Sequence, residues 1–182
     1  MAKEWFITRS KLDRAVARVR RELVRHGFWR QQLASVSTRM IWLAPAHGYY
    51  IGYKAGTIVI PAVSSSRLWE ILCGQYHGIA DVVRHEHGHA LCRAFPSLFR
   101  TQRFLSAFGA RLPSRQTYEY DPDIHVSAYA ATNSEEWFCE TFMHYLKYSG
   151  QLPRQWRRTP IARQWQLIRD LSRTLGNFRN AG

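Results

Sequence analysis

The stretch that decides the fold is Arg84-His85-Glu86-His87-Gly88-His89, which lies within a proline-free segment from Gly78 to Phe95. This segment predicts a single helix, which Pro96 ends. Residues four apart lie on the same face of a helix, so His85 and His89 can direct two imidazole nitrogens at one point while Glu86 flanks them. His87 falls on another side of the same helix.

The pattern H-E-x-x-H suits a zinc-dependent hydrolase. A zinc ion held by three protein groups keeps a fourth position for water and lowers the pKa of that water, and a nearby carboxylate takes the proton as the water attacks. His85 and His89 are therefore candidate zinc ligands, and Glu86 is the candidate general base. A histidine-rich helix end that faces solvent would show the same five letters, so a third ligand decides between the two interpretations.

A third ligand is available on a later helix. In one class of zinc enzymes a third histidine follows the first pair closely, but the segment Ala90–Phe95 contains none. The segment Asn133–Phe142 instead carries glutamates. Asn133 can cap a helix with Glu136 at capping-box spacing, and Glu136 and Glu140 then share a face one turn apart. One glutamate can bind the metal while the other orients a ligand histidine.

The chain resembles the gluzincin metallopeptidases, and within them the lethal-factor-like group that includes the Pro-Pro endopeptidases and the Mlc titration factor peptidases. These proteins pair H-E-x-x-H with a downstream E-x-F-x-E, preceded by a tyrosine seven residues before the first glutamate. Here the corresponding residues are Glu136-Trp137-Phe138-Cys139-Glu140 and Tyr129. The matching motifs cover residues 85–140.

The resemblance implies a role for each matching residue. His85, His89 and Glu136 would bind one zinc ion per chain, and Glu86 would act as general base and then as general acid. Tyr129 would stabilise the oxyanion. Glu140 would hydrogen-bond a ligand histidine from outside the metal shell.

Several alternatives stay open at this stage. Glu135 would replace Glu136 as the ligand if the helix were rotated, and Tyr118 or Tyr120 could replace Tyr129 as the oxyanion donor. Cys92 and Cys139 fit buried packing positions better than ligand positions.

Composition favours a single domain over residues 1–182, with a basic N-terminal helix in 1–34, a catalytic core in 35–150 and a basic C-terminal helix in 151–182. The hydrophobic content of 46% is enough to close a core. The three cysteines include no C-x-x-C pair, which favours a reducing compartment. No secretory signal or membrane span is recognised, so we expect a cytoplasmic protein, while export by another route stays open.

The net charge of +13 is concentrated in the flanks, where residues 1–34 hold nine Lys and Arg against three acids and residues 151–182 hold seven Arg against one acid. Such basic helices can attract phosphate backbones or acidic partners, which would give weak, non-specific nucleic-acid binding. An ordinary solvated face is the simpler interpretation. The sequence does not indicate an oligomeric state.

The pattern of the chain predicts an α+β fold. Helices are expected at Ser10–Gly27, Leu68–Cys73, Gly78–Phe95, Leu98–Phe108 and Asn133–Gly150 and around Ile161–Leu175, and strands at Met40–Leu43, Tyr49–Tyr53 and Thr57–Ile60. The resemblance implies a zincin-like domain in which a small, mostly antiparallel sheet packs on the H-E-x-x-H helix and the glutamate helix. Strand 57–60 is then the candidate platform for an extended substrate. The segment 111–131 predicts a long loop over the cleft.

The leading hypothesis is a zinc-dependent metalloendopeptidase that acts on a peptide or protein substrate. A second hypothesis is a nucleic-acid-associated protein that uses the same fold. A third is a regulated or toxin-like module of that fold, which becomes active only after a partner or propeptide is removed.

Overall fold

A computed structural model of the protein describes residues 6–50, 56–72 and 77–177. The described part contains seven α-helices and three strands. The helices are α1 (Arg9–Arg25), α2 (Gln31–Ala34), α3 (Ser65–Leu72), α4 (Ile79–Ala94), α5 (Gln102–Phe108), α6 (Ser134–Lys147) and α7 (Ile161–Asn177), and the strands are β1 (Ser37–Ala44), β2 (Gly48–Tyr50) and β3 (Thr57–Ser64). Short 3-10 turns lie at Pro96–Arg100, Tyr129–Thr132 and Arg154–Trp156. The predicted α+β class is confirmed.

The sheet is mixed, and the prediction of a mostly antiparallel sheet is wrong. The strand order is β1-β3-β2, with β1 parallel to β3 and β2 antiparallel to it. The strand pattern shows which residues are apolar but does not show which strands are neighbours, so the parallel pairing could not be foreseen.

Strand β3 is central in the described sheet, so residues 57–60 have no free edge, and the prediction that they form the platform for an extended substrate is wrong. Ile58, Ile60 and Ala62 are fully buried, and Val59 and Val63 on the other face are partly buried. A continuous apolar run of this kind is typical of a strand covered on both faces. In the described part of the sheet, β2 and β1 are the edge strands. The predicted strand residues 51–53 and Cys73 lie outside the described residues.

Helix α4 begins and ends within one residue of the predicted boundaries, with Gly78 before it and Phe95 after it. Helix α6 begins after Asn133, whose Oδ1 accepts hydrogen bonds from the backbone N–H groups of Glu135 at 2.9 Å and Glu136 at 3.0 Å. This is the predicted N-cap. Helix α1 starts at Arg9, one residue before the predicted start at Ser10, and Thr8 is its capping residue.

The segment expected to be one helix over Leu98–Phe108 is divided in two. A 3-10 turn covers Pro96–Arg100, and α5 starts after Thr101, whose hydroxyl accepts from the N–H of Phe104 at 3.2 Å. The following segment 111–128 forms no helix or strand, as predicted for the long loop.

Helix α4 lies at the centre of the molecule, with α1 on one side and α6 on another. Twelve of its sixteen residues are buried, including Arg84. The Arg84 guanidinium donates to Glu22 of α1 at 2.7 and 2.8 Å and also pairs with Asp81. Lys147 of α6 pairs with the other oxygen of Asp81 at 2.8 Å. This ion network connects α1, α4 and α6.

The two basic flanks pack on the core and on each other. The Arg30 side chain donates to the carbonyl of Leu175 at 2.8 Å, and the Ser172 hydroxyl donates to the carbonyl of His26 at 2.5 Å. Within the described residues, no helix has the length and apolar character needed to cross a bilayer.

Candidate metal centre and cleft

One face of α4 lines a cleft of about 880 Å³. The helix contributes residues at successive turns, because side chains three or four positions apart lie above one another. The opposite walls come from the turn between β1 and β2, the 3-10 turn that begins at Tyr129, and α6. The cleft lining includes His85, Glu86, His89, Tyr129 and Glu136.

Three side-chain atoms that can bind a metal ion converge in this cleft. The Nε2 atoms of His85 and His89 are 3.3 Å apart. The Oε2 atom of Glu136 lies 3.0 Å from the first nitrogen and 3.4 Å from the second. Asn133 sets the register of α6 by capping it, which places Glu136 opposite α4. The sequence-predicted trio is therefore brought together.

The other ring nitrogens of both histidines are occupied by carboxylates. Glu140 Oε1 lies 2.8 Å from His85 Nδ1, and Glu135 Oε1 lies 2.9 Å from His89 Nδ1. Each Nδ1 therefore donates its proton, and in the neutral ring the Nε2 atom carries a lone pair. When both rings are neutral, their two Nε2 lone pairs and the Glu136 oxygen face one another. Such a group of acceptors attracts a cation.

The same acceptors also attract protons, so the electrostatics of the cluster favour the charged imidazoles. Burial lowers the pKa of His85, but its hydrogen bonds with Glu136 and Glu140 outweigh burial and raise the pKa to about 9. Burial also opposes protonation of His89, and Glu135 and Glu136 raise its pKa to about 10. In the same way, burial raises the pKa of Glu136, while the two imidazoles pull it well below its usual range. The cluster favours positive charge at the point where the acceptors meet.

Glu140 is itself held by a hydroxyl group. Ser127 Oγ donates to Glu140 Oε2 at 2.7 Å. Burial raises the pKa of Glu140, but the hydrogen bond with His85 outweighs it and lowers the pKa to about 2. Ser127 belongs to the long loop and was not singled out from sequence, because no motif spacing relates it to the helices. Glu135 was predicted only as an alternative metal ligand. It instead hydrogen-bonds His89 Nδ1, the ring nitrogen that faces away from the converging atoms.

A buried group formed by His85, His89 and Cys139 could also hold a metal ion, since one donor atom from each lies within 4.8 Å of the others. The Cys139 thiol is fully buried between α6 and α4, beside Gly88. Burial raises its pKa well above the usual range. Cys139 and Cys92 are both free thiols, which agrees with the packing role predicted for them.

Glu86 is buried beside the converging acceptors. Its Oε2 atom has no hydrogen-bond partner among the described residues, and Oε1 lies 3.7 Å from His47 Nε2. Burial raises the pKa of Glu86, although the imidazoles of His85 and His89 oppose this. A carboxylate with a raised pKa and a free oxygen is suited to accept and return a proton.

His47 is a residue of the site that sequence reasoning missed. It lies in the turn between β1 and β2, and burial, followed by repulsion from His85, lowers its pKa to about 4. Its ring is therefore neutral at physiological pH. Neither a motif nor a helical spacing relates His47 to Glu86, so only the fold reveals their proximity.

Of the three candidate tyrosines, Tyr129 lines the cleft. Its ring centroid lies 5.8 Å from that of His85, and its side chain is about half exposed. Partial burial, followed by the carboxylates of Glu136 and Glu86, raises its pKa, so the phenol keeps its proton. Tyr118 instead hydrogen-bonds Ser134 Oγ at 2.7 Å. Tyr120 lies against His125, away from the cleft.

Comparison with protein-family profiles, with curated proteins and with solved structures finds no match for this chain.

Proposed function

We propose that this protein is a zinc-dependent peptidase with a zincin-like fold, in which one zinc ion per chain binds to His85, His89 and Glu136. The observation that carries the proposal is the convergence of three lone-pair acceptors in an open cleft, beside the buried carboxylate of Glu86, whose Oε2 atom has no hydrogen-bond partner among the described residues.

The donor set fits zinc. Two imidazoles and one carboxylate are a recognised ligand set for catalytic zinc, with metal–ligand distances of about 2.0–2.2 Å. A tetrahedron of that size has edges of about 3.3 Å. The three separations of 3.0, 3.3 and 3.4 Å are close to that value. The outer carboxylates of Glu140 and Glu135 fix the orientation of both imidazoles, as is usual for metal-bound histidines.

The residues of the cleft supply the remaining chemistry. Zinc, when bound, would polarise a scissile carbonyl and lower the pKa of a water molecule. Glu86 accepts a proton from the attacking water and delivers it to the nitrogen of the leaving amine. The raised pKa of Glu86 suits both steps, because the same carboxyl must gain a proton and then lose it.

Tyr129 and the sheet complete the arrangement. The protonated phenol of Tyr129 donates a hydrogen bond to the oxygen of the scissile carbonyl as negative charge develops there. An extended peptide pairs with the edge strand β2, since Gly48 and Tyr49 line the cleft and the opposite edge of β2 is paired with β3. The platform is therefore β2, and not residues 57–60.

The main alternative is a closed structural zinc site in which Cys139 is one of the ligands. Structural zinc commonly has four protein ligands, often including cysteine, and such a site has no position for water. Three features favour the open site: the short distances from Glu136 to the two imidazoles, the outer hydrogen bonds of both imidazoles, and the unpartnered Oε2 atom of Glu86 beside them. The buried, free Cys92 and Cys139 thiols fit a reducing compartment such as the cytoplasm.

A second role in weak nucleic-acid binding is favoured by α1. Arg14, Arg21 and Arg25 are exposed, and among the described residues no carboxylate lies within 4.0 Å of their guanidinium groups. Such a face attracts phosphate without reading sequence. Binding of duplex DNA that falls steeply between 50 and 200 mM salt, by about tenfold or more, would support this role. DNA binding that ignores salt, or no binding at all, would exclude it.

The peptidase proposal is tested by digesting a peptide library with zinc-loaded protein, alongside a Glu86→Gln variant. The wild type should cleave peptide bonds, and the variant should keep its zinc and lose at least about 100-fold in rate. Zinc-loaded wild type that cleaves nothing would contradict the proposal, as would a fully active Glu86→Gln protein.

A further inference from the structure

The cleft runs along α4 for most of the length of that helix. The α4 residues in its lining extend from Asp81 in the first turn to Arg93 in the last. At 1.5 Å per residue this distance is about 18 Å, which an extended peptide of about five or six residues would span. The cleft therefore has two ends, and His85 and His89 lie between them.

The end beside the C-terminus of α4 is basic. Arg93 continues the face of His85 and His89 by one further turn, and Arg100 ends the 3-10 turn that follows. Both line the cleft, and both are exposed. The backbone N–H of Leu112 donates to the carbonyl of Phe99 at 3.0 Å, which fixes the adjoining Leu112–Pro113 wall next to Arg100.

The two guanidinium groups have no acidic partner in the described part of the chain, where no ion pair joins either of them to a carboxylate. Glu135 also lines the cleft, and its Oε1 atom is hydrogen-bonded to His89 Nδ1 at 2.9 Å. Arg93 and Arg100 therefore offer unused donors to whatever occupies this end.

Among the residues that the structure describes, the opposite end of the cleft carries no unpaired charged group. The Asp81 carboxylate is already paired with Arg84 and Lys147. Met143 and His77 lie in the same lining. The cleft is thus asymmetric in charge: one end offers two guanidinium groups without an acidic partner, and the described residues at the other end offer a paired carboxylate, an imidazole and an apolar side chain.

We propose that Arg93 and Arg100 form a subsite for a carboxylate side chain, so that the preferred substrates carry Asp or Glu near the scissile bond. This inference rests on the proposed peptidase function. From the middle of the His85–His89 turn to Arg93 the helix rises about 9 Å, which is two or three residues of extended peptide. Arginine binds carboxylates in a planar, two-point geometry, so a neutral amide of the same size binds less well.

The test compares two peptides that differ only by Glu or Gln at two or three residues from the scissile bond. Zinc-loaded wild type should show a kcat/KM at least about tenfold higher for the Glu peptide. Arg93→Gln and Arg100→Gln should lower that preference, because they reduce kcat/KM for the Glu peptide by a larger factor than for the Gln peptide. The matched control is Arg115→Gln, which changes an exposed arginine outside the cleft lining and should keep the wild-type preference.

Binding provides a readout that does not depend on turnover. The inactive Glu86→Gln protein should bind a fluorescent Glu peptide more tightly than its Gln counterpart, and adding Arg93→Gln should remove the difference. If both peptides are cleaved at equal kcat/KM, the subsite is wrong and the peptidase function stands. If neither the two peptides nor the library is cleaved, the peptidase function is wrong. In that case, equal affinities of the Glu86→Gln protein for the Glu and Gln peptides would show that the subsite is wrong as well.

Discussion

His85 and Glu136 are 51 residues apart in the chain, yet Nε2 of the first lies 3.0 Å from Oε2 of the second, because α4 and α6 pack directly against each other. Gly88 permits this close approach, since a Cβ atom at that position would lie 3.0 Å from the Cα of Cys139. The candidate metal centre thus depends on both the ligand side chains and the packing of the two helices.

The ligand assignment predicts different outcomes at two adjacent glutamates. Glu136→Ala removes an inner acceptor, so zinc content after dialysis should fall well below one equivalent. Glu135→Ala removes only the outer hydrogen bond to His89, so one equivalent should bind with an affinity about tenfold weaker. Metal analysis of the dialysed proteins measures both. A full equivalent of zinc in Glu136→Ala, together with its loss in Glu135→Ala, would reverse the assignment.

The outer hydrogen-bond chain from Ser127 to Glu140 to His85 should tune zinc affinity. Glu140→Ala leaves His85 Nδ1 without its carboxylate and should weaken zinc binding by about 10- to 100-fold. Ser127→Ala removes one hydrogen bond further out and should have a smaller effect in the same direction. Competition with a chelator of known affinity measures both values. Zinc affinity that is unchanged in both variants would show that the chain does not orient the ligand.

Cys139 distinguishes an open catalytic site from a closed structural one. If Glu136 is the third ligand, Cys139→Ala should retain one equivalent of zinc and most of the hydrolytic activity, at a stability cost of about 1 kcal/mol for the lost packing. Cys92→Ala is the matched control, because it removes a neighbouring buried thiol that is outside the proposed ligand set. Loss of zinc in Cys139→Ala alone would establish the thiol as a ligand.

The ion pair between Glu22 and Arg84 predicts a pH-dependent contribution to stability. Burial raises the pKa of Glu22, but its contacts with Arg84 outweigh burial and lower the pKa below its ordinary value of 4.5. The charged form is therefore favoured in the folded state, so the stabilisation is present above pH 4.5 and is lost as the pH falls through the lowered value.

Glu22→Gln should consequently reduce the free energy of unfolding at pH 7 by about 1.5–3 kcal/mol, and the difference from wild type should shrink towards pH 3. Urea unfolding at a series of pH values measures it. Asp13→Asn is the control, since that carboxylate pairs with Arg9 on the exposed side of the same helix. If Glu22→Gln lowers the free energy of unfolding by the same amount at pH 3 and pH 7, the charge of Glu22 is not the source of the stabilisation.

The sequence predicted the two site helices well for physical reasons. The absence of proline between Gly78 and Phe95 and the capping side chain of Asn133 are local signals, and helix boundaries depend mainly on local signals. Once these boundaries and the 3.6-residue period are known, the faces that carry His85, His89 and Glu136 follow.

The parts that sequence did not predict depend on long-range contacts. The parallel pairing of β1 with β3 places β3 between strands that precede it in the chain, and no local pattern encodes that order. His47 and Ser127 reach the site from a turn and a loop without any motif spacing. The pairing of Arg84 with Glu22 joins residues 62 positions apart, and a buried arginine in the site helix could not be distinguished from an exposed one by its periodicity alone.

The most direct test of the central claim is a crystal structure of the zinc-loaded protein with anomalous diffraction data collected at the zinc absorption edge. We expect one peak in the cleft, at about 2.0–2.2 Å from His85 Nε2, His89 Nε2 and a Glu136 carboxylate oxygen, with the remaining position open towards Glu86 and Tyr129. A peak bound to Cys139 Sγ with no open position, or no peak between the two histidines, would contradict the account.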